Sequence, residues 1–289
     1  MRIAIVANPL AGRERARRIA ELVQKKLERS GVSFTYLETE YARHAVVLAE
    51  QAAQDHTIVA GLGGDGTIRE VIEGIWKSDA ALGVIPAGTG NDHARGLGIP
   101  QDPLEAVDVL LQGHSAAMDV GLERDNVFGC AGAVGFPVDV LEHLNSAESS
   151  RRVGKVAYLS AIAKTLRRLK ARPMTVTVDG KVHTMDAVGI LVMNLPYAGG
   201  GLQFAPAARH NDGLFHVVIV GSVSPLRLLL TLPKVYKGTH VDDPAVTILT
   251  GTQVVLEPAG MKKMFDGDID SETPFRAEVI AAGVRVMVP

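Results

Sequence analysis

The chain has 289 residues, 47% hydrophobic and 21% charged, with 30 Lys and Arg against 32 Asp and Glu for a net charge of -2. That composition excludes a disordered or collagen-like chain and leaves length for a buried core in one or two domains. Near-neutrality excludes a global positive field that would draw in nucleic acid, so docking on any anionic surface must be local.

The apolar run Ile3 to Ala7 opens the chain as a strand and is too short for a signal peptide. Ala16, Ile19, Ala20, Val23 and Leu27 follow at helical spacing. Strand-like runs at Val32 to Leu37, Thr57 to Ala60 and Leu82 to Ile85 each precede a helical segment, near Ala45 to Ala53, Ile68 to Ile75 and Asn91 to Leu97. Four such units predict a parallel sheet covered by helices, with its ligand at the carboxyl ends of the strands. From about residue 114 the runs become strands with little helix between them: Val127 to Ala133, Met174 to Val178, Val188 to Met193, Phe215 to Val220, Val246 to Leu249, Val254 to Leu256 and Val284 to Val288. Helices are expected near Val153 to Leu169 and Leu226 to Val235. The expectation is therefore an α/β domain over residues 1–115 and a mostly antiparallel β domain over 116–289, whose last strand is free to return to the first. No stretch approaches the roughly 18 apolar residues of a membrane-spanning helix. The single cysteine, Cys130, lies in an apolar run where burial is expected, and a reducing cytosol fits.

Two strand-to-helix junctions are rich in glycine. In TIVAGLGGDGTIREVIEGI, Gly61, Gly63, Gly64 and Gly66 flank Asp65, and Thr67 stands where it can cap the next helix. Glycines there let backbone amides reach phosphate oxygens, and the helix dipole favours the same anion. In PAGTGND, Thr89, Asn91 and Asp92 form a second such turn, and Asn8 to Gly12 after the first strand lie on the same sheet edge. Each loop alone is a tight turn; three together predict a phosphate site. Gly61, Gly63 and Gly66 also satisfy a dinucleotide fingerprint, but the next strand ends in Ile85, Pro86 and Ala87 without the expected acid.

GGDGT at Gly63 to Thr67, with Glu70, Val71 and Gly74, and IPAGTGNDHARGLGIP from Ile85 to Pro100 resemble the bacterial diacylglycerol-kinase-like lipid kinases. Sphingosine, ceramide and NAD kinases share parts of this pattern. The resemblance spans the chain, because NPLAGR, Asp212 with Gly213, and the DGD of Asp266 to Asp268 keep the family's order. It departs at Arg69 and Glu73, where Asn is common, at His93 for Phe, and at Asp268 for Glu. The first three are expected to face away from the phosphates.

The resemblance implies a parallel nucleotide-binding domain followed by the β domain, with ATP and Mg2+ as cofactors. Asp266 would be the base that accepts the hydroxyl proton, accompanied by Asp268, and Asp65 would organise the Mg-ATP phosphates. Nucleotide contacts would come from Asn8, Pro9, Leu10, Ala11, Gly12, Thr39, Gly63, Gly64, Gly66, Thr67, Ile68, Arg69, Glu70, Thr89, Asn91 and Asp92. Thr39, at a helix start, is as readily a cap. Arg209, Asp212 and Leu214 would hold a structural Mg2+ through a carboxylate and backbone carbonyls, although Asn-Asp-Gly also reads as a hairpin turn. His44, His56 and His93 read as caps or surface groups.

The implied activity is transfer of the γ-phosphate of ATP to a lipid hydroxyl, first of all diacylglycerol. A monoacylglycerol, phosphatidylglycerol, a sphingoid base, a soluble acceptor such as NAD, or a non-catalytic nucleotide-binding role remain open. A cytoplasmic enzyme meeting its lipid at the membrane surface, without nucleic acid and with dimers frequent in such families, is the expectation. Eight basic and no acidic residues between Arg151 and Arg172, around Leu159, Ile162, Ala163, Leu166 and Leu169, suit either a packed helix with solvated charges or contact with anionic headgroups.

Overall fold

The computed structural model describes residues 1–9, 14–145, 164–257 and 260–289. The first half alternates β1 (Ile3–Ala7), α1 (Glu14–Ser30), β2 (Phe34–Glu38), α2 (His44–Asp55), β3 (Ile58–Gly63), α3 (Asp65–Ile75), β4 (Ala81–Pro86), α4 (Asp92–Gly96) and α5 (Pro103–Gln112). The four strands are parallel in the order β4-β3-β1-β2. Every residue of β1, β3 and β4 is buried, as continuous apolar runs between two helical layers require. Residues of α2 and α3 pack on one face of the sheet and those of α1 and α5 on the other. The predicted fourth helix is one short turn, and α5 follows it. Asp102 caps α5 by accepting from the amides of Leu104 and Glu105, and Gly113 ends it in the left-handed region.

The second half contains β5 (Ser115–Glu123), β6 (Asn126–Phe128), β7 (Ala131–Gly135), α6 (Phe136–Asn145), β8 (Arg172–Val178), β9 (Lys181–Met193), β10 (Phe215–Gly221), α7 (Pro225–Tyr236) and β11 (Val246–Gly251). It ends with β12 (Gln253–Leu256), β13 (Lys262–Phe265), β14 (Asp268–Glu272) and β15 (Phe275–Met287). All ladders among these strands are antiparallel. Phe128, Phe215, Phe265 and Phe275 fill their common core, with Phe128 ring centroids 5.4 to 6.4 Å from the other three. The run expected as one strand over Val127 to Ala133 is two, because Gly129 and Cys130 leave the ladder and turn their amides elsewhere. β15 joins the halves: Phe275 to Glu278 pair with β12, and Arg285 and Val286 lie parallel to Ala81 and Leu82 of β4.

Most of the helix expected near Val153 to Leu169 lies outside the described residues. At its described end, Leu166 is buried and packs with Val140, while Lys164, Arg167, Arg168 and Lys170 are exposed. No helix among the described residues is long and apolar enough to cross a membrane.

Candidate active site

The parallel order sets the ends of β1, β3 and β4 side by side, so their loops share one edge. The two glycine turns touch there: a Cβ on Gly88 would sit 2.6 Å from the Gly64 Cα. A Cβ on Gly66 would meet nothing within 4 Å, which places that position on an open rim. Gly64 is the N-cap of α3 without a side-chain cap, so Thr67, which is buried inside the first turn, does not cap it as expected. The first amides of α3 are thus left without partners inside the helix. Asn91 takes a left-handed conformation and its Oδ1 accepts from Gly88 N at 2.9 Å, closing the second turn.

His93, expected at a cap or surface, is instead fully buried at the centre. Its Nδ1 and its backbone N both lie 3.1 Å from Asp65 Oδ1, and its Nε2 is 3.6 Å from Asp266 Oδ2. Burial alone would lower the imidazole's pKa, but Cys130 and the Asp266 and Asp65 carboxylates raise it well above the usual histidine range. In return, although burial opposes it, His93 holds Asp65 and Asp266 below theirs. Burial pushes the Cys130 thiol up. The sulfur, nitrogen and carboxylate of Cys130, His93 and Asp266 lie within 4.8 Å of one another, a softer donor set than Mg2+ uses.

The Asp266-Gly267 pair is the two-residue loop of the β13–β14 hairpin, both residues at positive φ as a type I′ turn needs. The Asp266 carboxylate points inward. It accepts from the amides of Gly129 (2.6 Å), Cys130 (2.8 Å) and Ala131 (2.7 Å). Gly129 must be a glycine, since a Cβ would come within 2.7 Å of His93 Nε2. Buried Asn194 braces this segment by donating to Gly129 O and Asp119 O, both at 2.8 Å. Asp268, two residues on, is 61% exposed and ion-paired with the buried Arg69.

Several expected placements therefore change. Arg69 reaches the acidic hairpin rather than facing away from the site, and Glu73 pairs with Arg43. Ile68 is packed in the core and Glu70 accepts from Ala45 N at 3.1 Å, so neither side chain faces the glycine rim. Thr39 does not begin α2, whose N-cap is Arg43; its amide donates to Ala7 O at 2.9 Å, on the same strand edge. Asn8 and Pro9 follow β1 on that edge, whereas Leu10, Ala11 and Gly12 lie outside the described residues. Asp92 bridges to the second half by accepting from Gly200 N and Gly201 N at 2.8 and 2.7 Å, and burial, with the charge of Asp65, lifts its pKa to about 6. Lys263 is buried against Glu123 at 2.8 Å and takes no part in the rim.

Asp212 does not lie in a hairpin. Its turn comes just before β10, and its two oxygens accept from Arg209 N and Leu214 N at 3.0 Å, with His216 Nε2 at 3.1 Å. These bonds account for the turn's shape.

A cavity of about 930 Å³ starts at Asp65, Thr89, Asp92, His93 and Asp266 and runs into the second half. Beyond that polar end its wall is Phe136, Val140, Leu144, Leu202, Leu228 and Leu232 with their neighbours on α6 and α7. The cavity and the inner residues His93, Cys130, Asn194, Gly200 and Gly201 were not anticipated. The one trace of them in the sequence was His93, a polar residue in a motif position where Phe is usual.

Residues 2–122 match the family described as diacylglycerol kinase catalytic domain, and residues 132–288 match the YegS C-terminal NAD kinase beta sandwich-like domain. A diacylglycerol kinase of Mycobacterium tuberculosis is 31% identical over all of this chain and 95% of its own length. One of Bacillus subtilis is 28% identical over 100% and 96%. The crystal structure of a diacylglycerol kinase from Bacillus anthracis superposes with a TM-score of 0.81 at 24% identity, covering 100% of this chain and 97% of the other; that likeness speaks to the fold.

Proposed function

We propose, from the premise that this chain belongs to the diacylglycerol kinase family of lipid kinases, that it moves the γ-phosphate of ATP onto a lipid hydroxyl. Diacylglycerol is the first-choice acceptor and phosphatidic acid the product. The observation that carries this reading is the cavity, polar where Asp65, Asp92 and Asp266 meet and apolar along α6 and α7. A hydroxyl head on hydrocarbon tails matches both ends, whereas NAD would leave the apolar wall unused.

The rim supports a nucleotide. Small residues and first-turn amides of α3 suit phosphate oxygens. Asp65, 23% exposed at the cavity's polar end and beside Gly90, is the oxygen donor suited to Mg2+. When bound, that ion would neutralise phosphate charge. Asn8, Thr89 and Asn91 lie around the same rim.

The geometry favours exchanging the two hairpin roles. Asp266 is buried, held by three amides and kept ionised, which suits fixing His93 and the Gly129 to Ala131 segment. Asp268 does not line the cavity, but it is exposed beside the polar end, two residues from Asp266, and its pairing with Arg69 orients it for the proton-acceptor role.

The test is phosphate transfer from labelled ATP to a panel of dispersed lipids and to NAD, read by product mass. A phosphorylated glyceride is the expected result. ATP turnover that needs NAD and ignores lipid would sink the lipid reading, and no transfer to any acceptor would favour a regulatory nucleotide-binding role.

A further inference from the structure

We propose that α7 docks the enzyme on an anionic bilayer by sinking Leu226, Leu229 and Leu230 among the lipid tails. The inference rests on the lipid-kinase reading, because it assigns the route by which the acceptor reaches the cavity.

Nine large apolar side chains are exposed among the described residues, and four of them, Leu226 (66%), Leu229 (45%), Leu230 (66%) and Tyr236, belong to α7. The other five are scattered singly over β9, α1, α2, one loop and the N-terminus. Isolated exposed leucines need no explanation, but a cluster on one helix does. Leu226, Leu229 and Leu230 follow an i, i+3, i+4 pattern, so they form one outward stripe. Leu228, Leu232 and Val235 form a second stripe, and these line the cavity. One 12-residue helix is therefore apolar towards solvent and apolar towards the proposed acyl site.

The charge around it selects the occupant. α7 contains no acidic residue, and Lys234 and Lys237 stand exposed at its C-terminal end. Leu166 and Leu169 share a cluster with Leu228 and Leu232, which brings the segment carrying exposed Arg167, Arg168 and Lys170 against α7. Leucines inside a basic rim match an interfacial helix on anionic lipid, where the apolar face enters the acyl boundary and the cations meet headgroups. The cavity behind α7 also needs hydrocarbon delivered to it. A second copy of this nearly neutral chain supplies neither the anionic surface nor the tails.

The docking test uses the full chain and vesicles of phosphatidylglycerol and phosphatidylcholine without ATP. Leu226→Ser/Leu229→Ser/Leu230→Ser should cut the vesicle-bound fraction at least tenfold, and the loss should persist in high salt. Since those side chains lie outside the cavity lining, turnover on monomeric dihexanoylglycerol in solution should match the parent. Leu230→Trp in a Trp76→Phe background gives an independent readout: its emission should shift blue on vesicles and be quenched by brominated acyl chains. Parent-like sedimentation of the triple variant, or an indole that stays in water, overturns the proposal. A triple variant that changes only self-association overturns it too and makes the face a subunit contact. If the parent phosphorylates no glyceride in any form yet the triple variant loses the vesicles, the docking face stands and the lipid-kinase reading falls. If dihexanoylglycerol is phosphorylated while vesicle binding is unchanged, the docking face alone fails.

Discussion

At the edge formed by β1, β3 and β4 the site is made of backbone: glycine turns in contact, helix amides and a few short polar side chains. Under α6 and α7 it is made of branched and aromatic side chains with almost no hydrogen-bonding capacity. The first end works by leaving side chains out and the second by filling space with them. Equal substitutions should therefore have unlike consequences at the two ends.

The largest effect is expected where the polar end meets the β13–β14 hairpin. Asp268→Asn should lower turnover by about a hundred- to ten-thousand-fold while ATP affinity and melting temperature stay near the parent's. Asp266→Ala should instead act first on the fold, since it strips three buried amides and His93 of their anion. Kinetics and calorimetry on the pair decide the matter, and a stable Asp266→Ala enzyme without turnover would return the base role to Asp266.

Gly66→Ala tests the rim with less force. The added methyl has open space and a helical position to occupy, so thermal stability should hold or rise slightly. ATP affinity should nonetheless fall roughly ten- to hundredfold if a phosphate sits against that backbone. Unchanged affinity by calorimetry would move the nucleotide elsewhere.

At the apolar end, Leu232→Trp should shorten the cavity and leave the rim alone. Activity on long-chain glycerides should drop roughly tenfold relative to short-chain ones, with KM for ATP unaltered. An equal loss on both chain lengths would mean that the cavity does not hold the acyl group.

The smallest effect concerns the joint between the ends. With Asp92 lifted to about 6 from an ordinary 3.8, the folded state holds that proton more tightly than the unfolded chain. The stability it contributes is full below about 4 and is lost as pH rises through about 6. Asp65 and Asp266, held low, lose theirs only as pH falls below that window. The melting temperature of Asp92→Asn, relative to the parent, should therefore climb by a few degrees between pH 4 and pH 7. A constant difference would remove Asp92 as the titrating group.

The backbone-built end was the legible one. Gly63 to Thr67 and Pro86 to Asp92 announced themselves through glycines at strand ends, and parallel order alone placed them together. The far end had no such signal. Leu228 and Leu232 look like any helical core residues until α6 and the segment around Leu166 are packed against them. Likewise the three amides that hold Asp266 belong to Gly129, Cys130 and Ala131, far away in the chain, so no spacing rule could name them. His93 was misjudged because a lone histidine has no partner in sequence; only the fold supplies a carboxylate on either side. Asp-Gly pairs favour turns, but turn chemistry does not say which way an aspartate points.

The path of β15 bears on how the molecule is made. β4 has β3 on one side, and its other neighbour is Arg285 and Val286. During synthesis the parallel sheet must wait, one flank open, until nearly the whole described chain has left the ribosome. Pairings so distant in sequence form slowly, because a long loop has to close before any ladder bond rewards it. The glycine rim and the antiparallel half therefore complete themselves together, and a nascent chain stopped before β15 would carry an exposed strand edge rather than a finished parallel sheet.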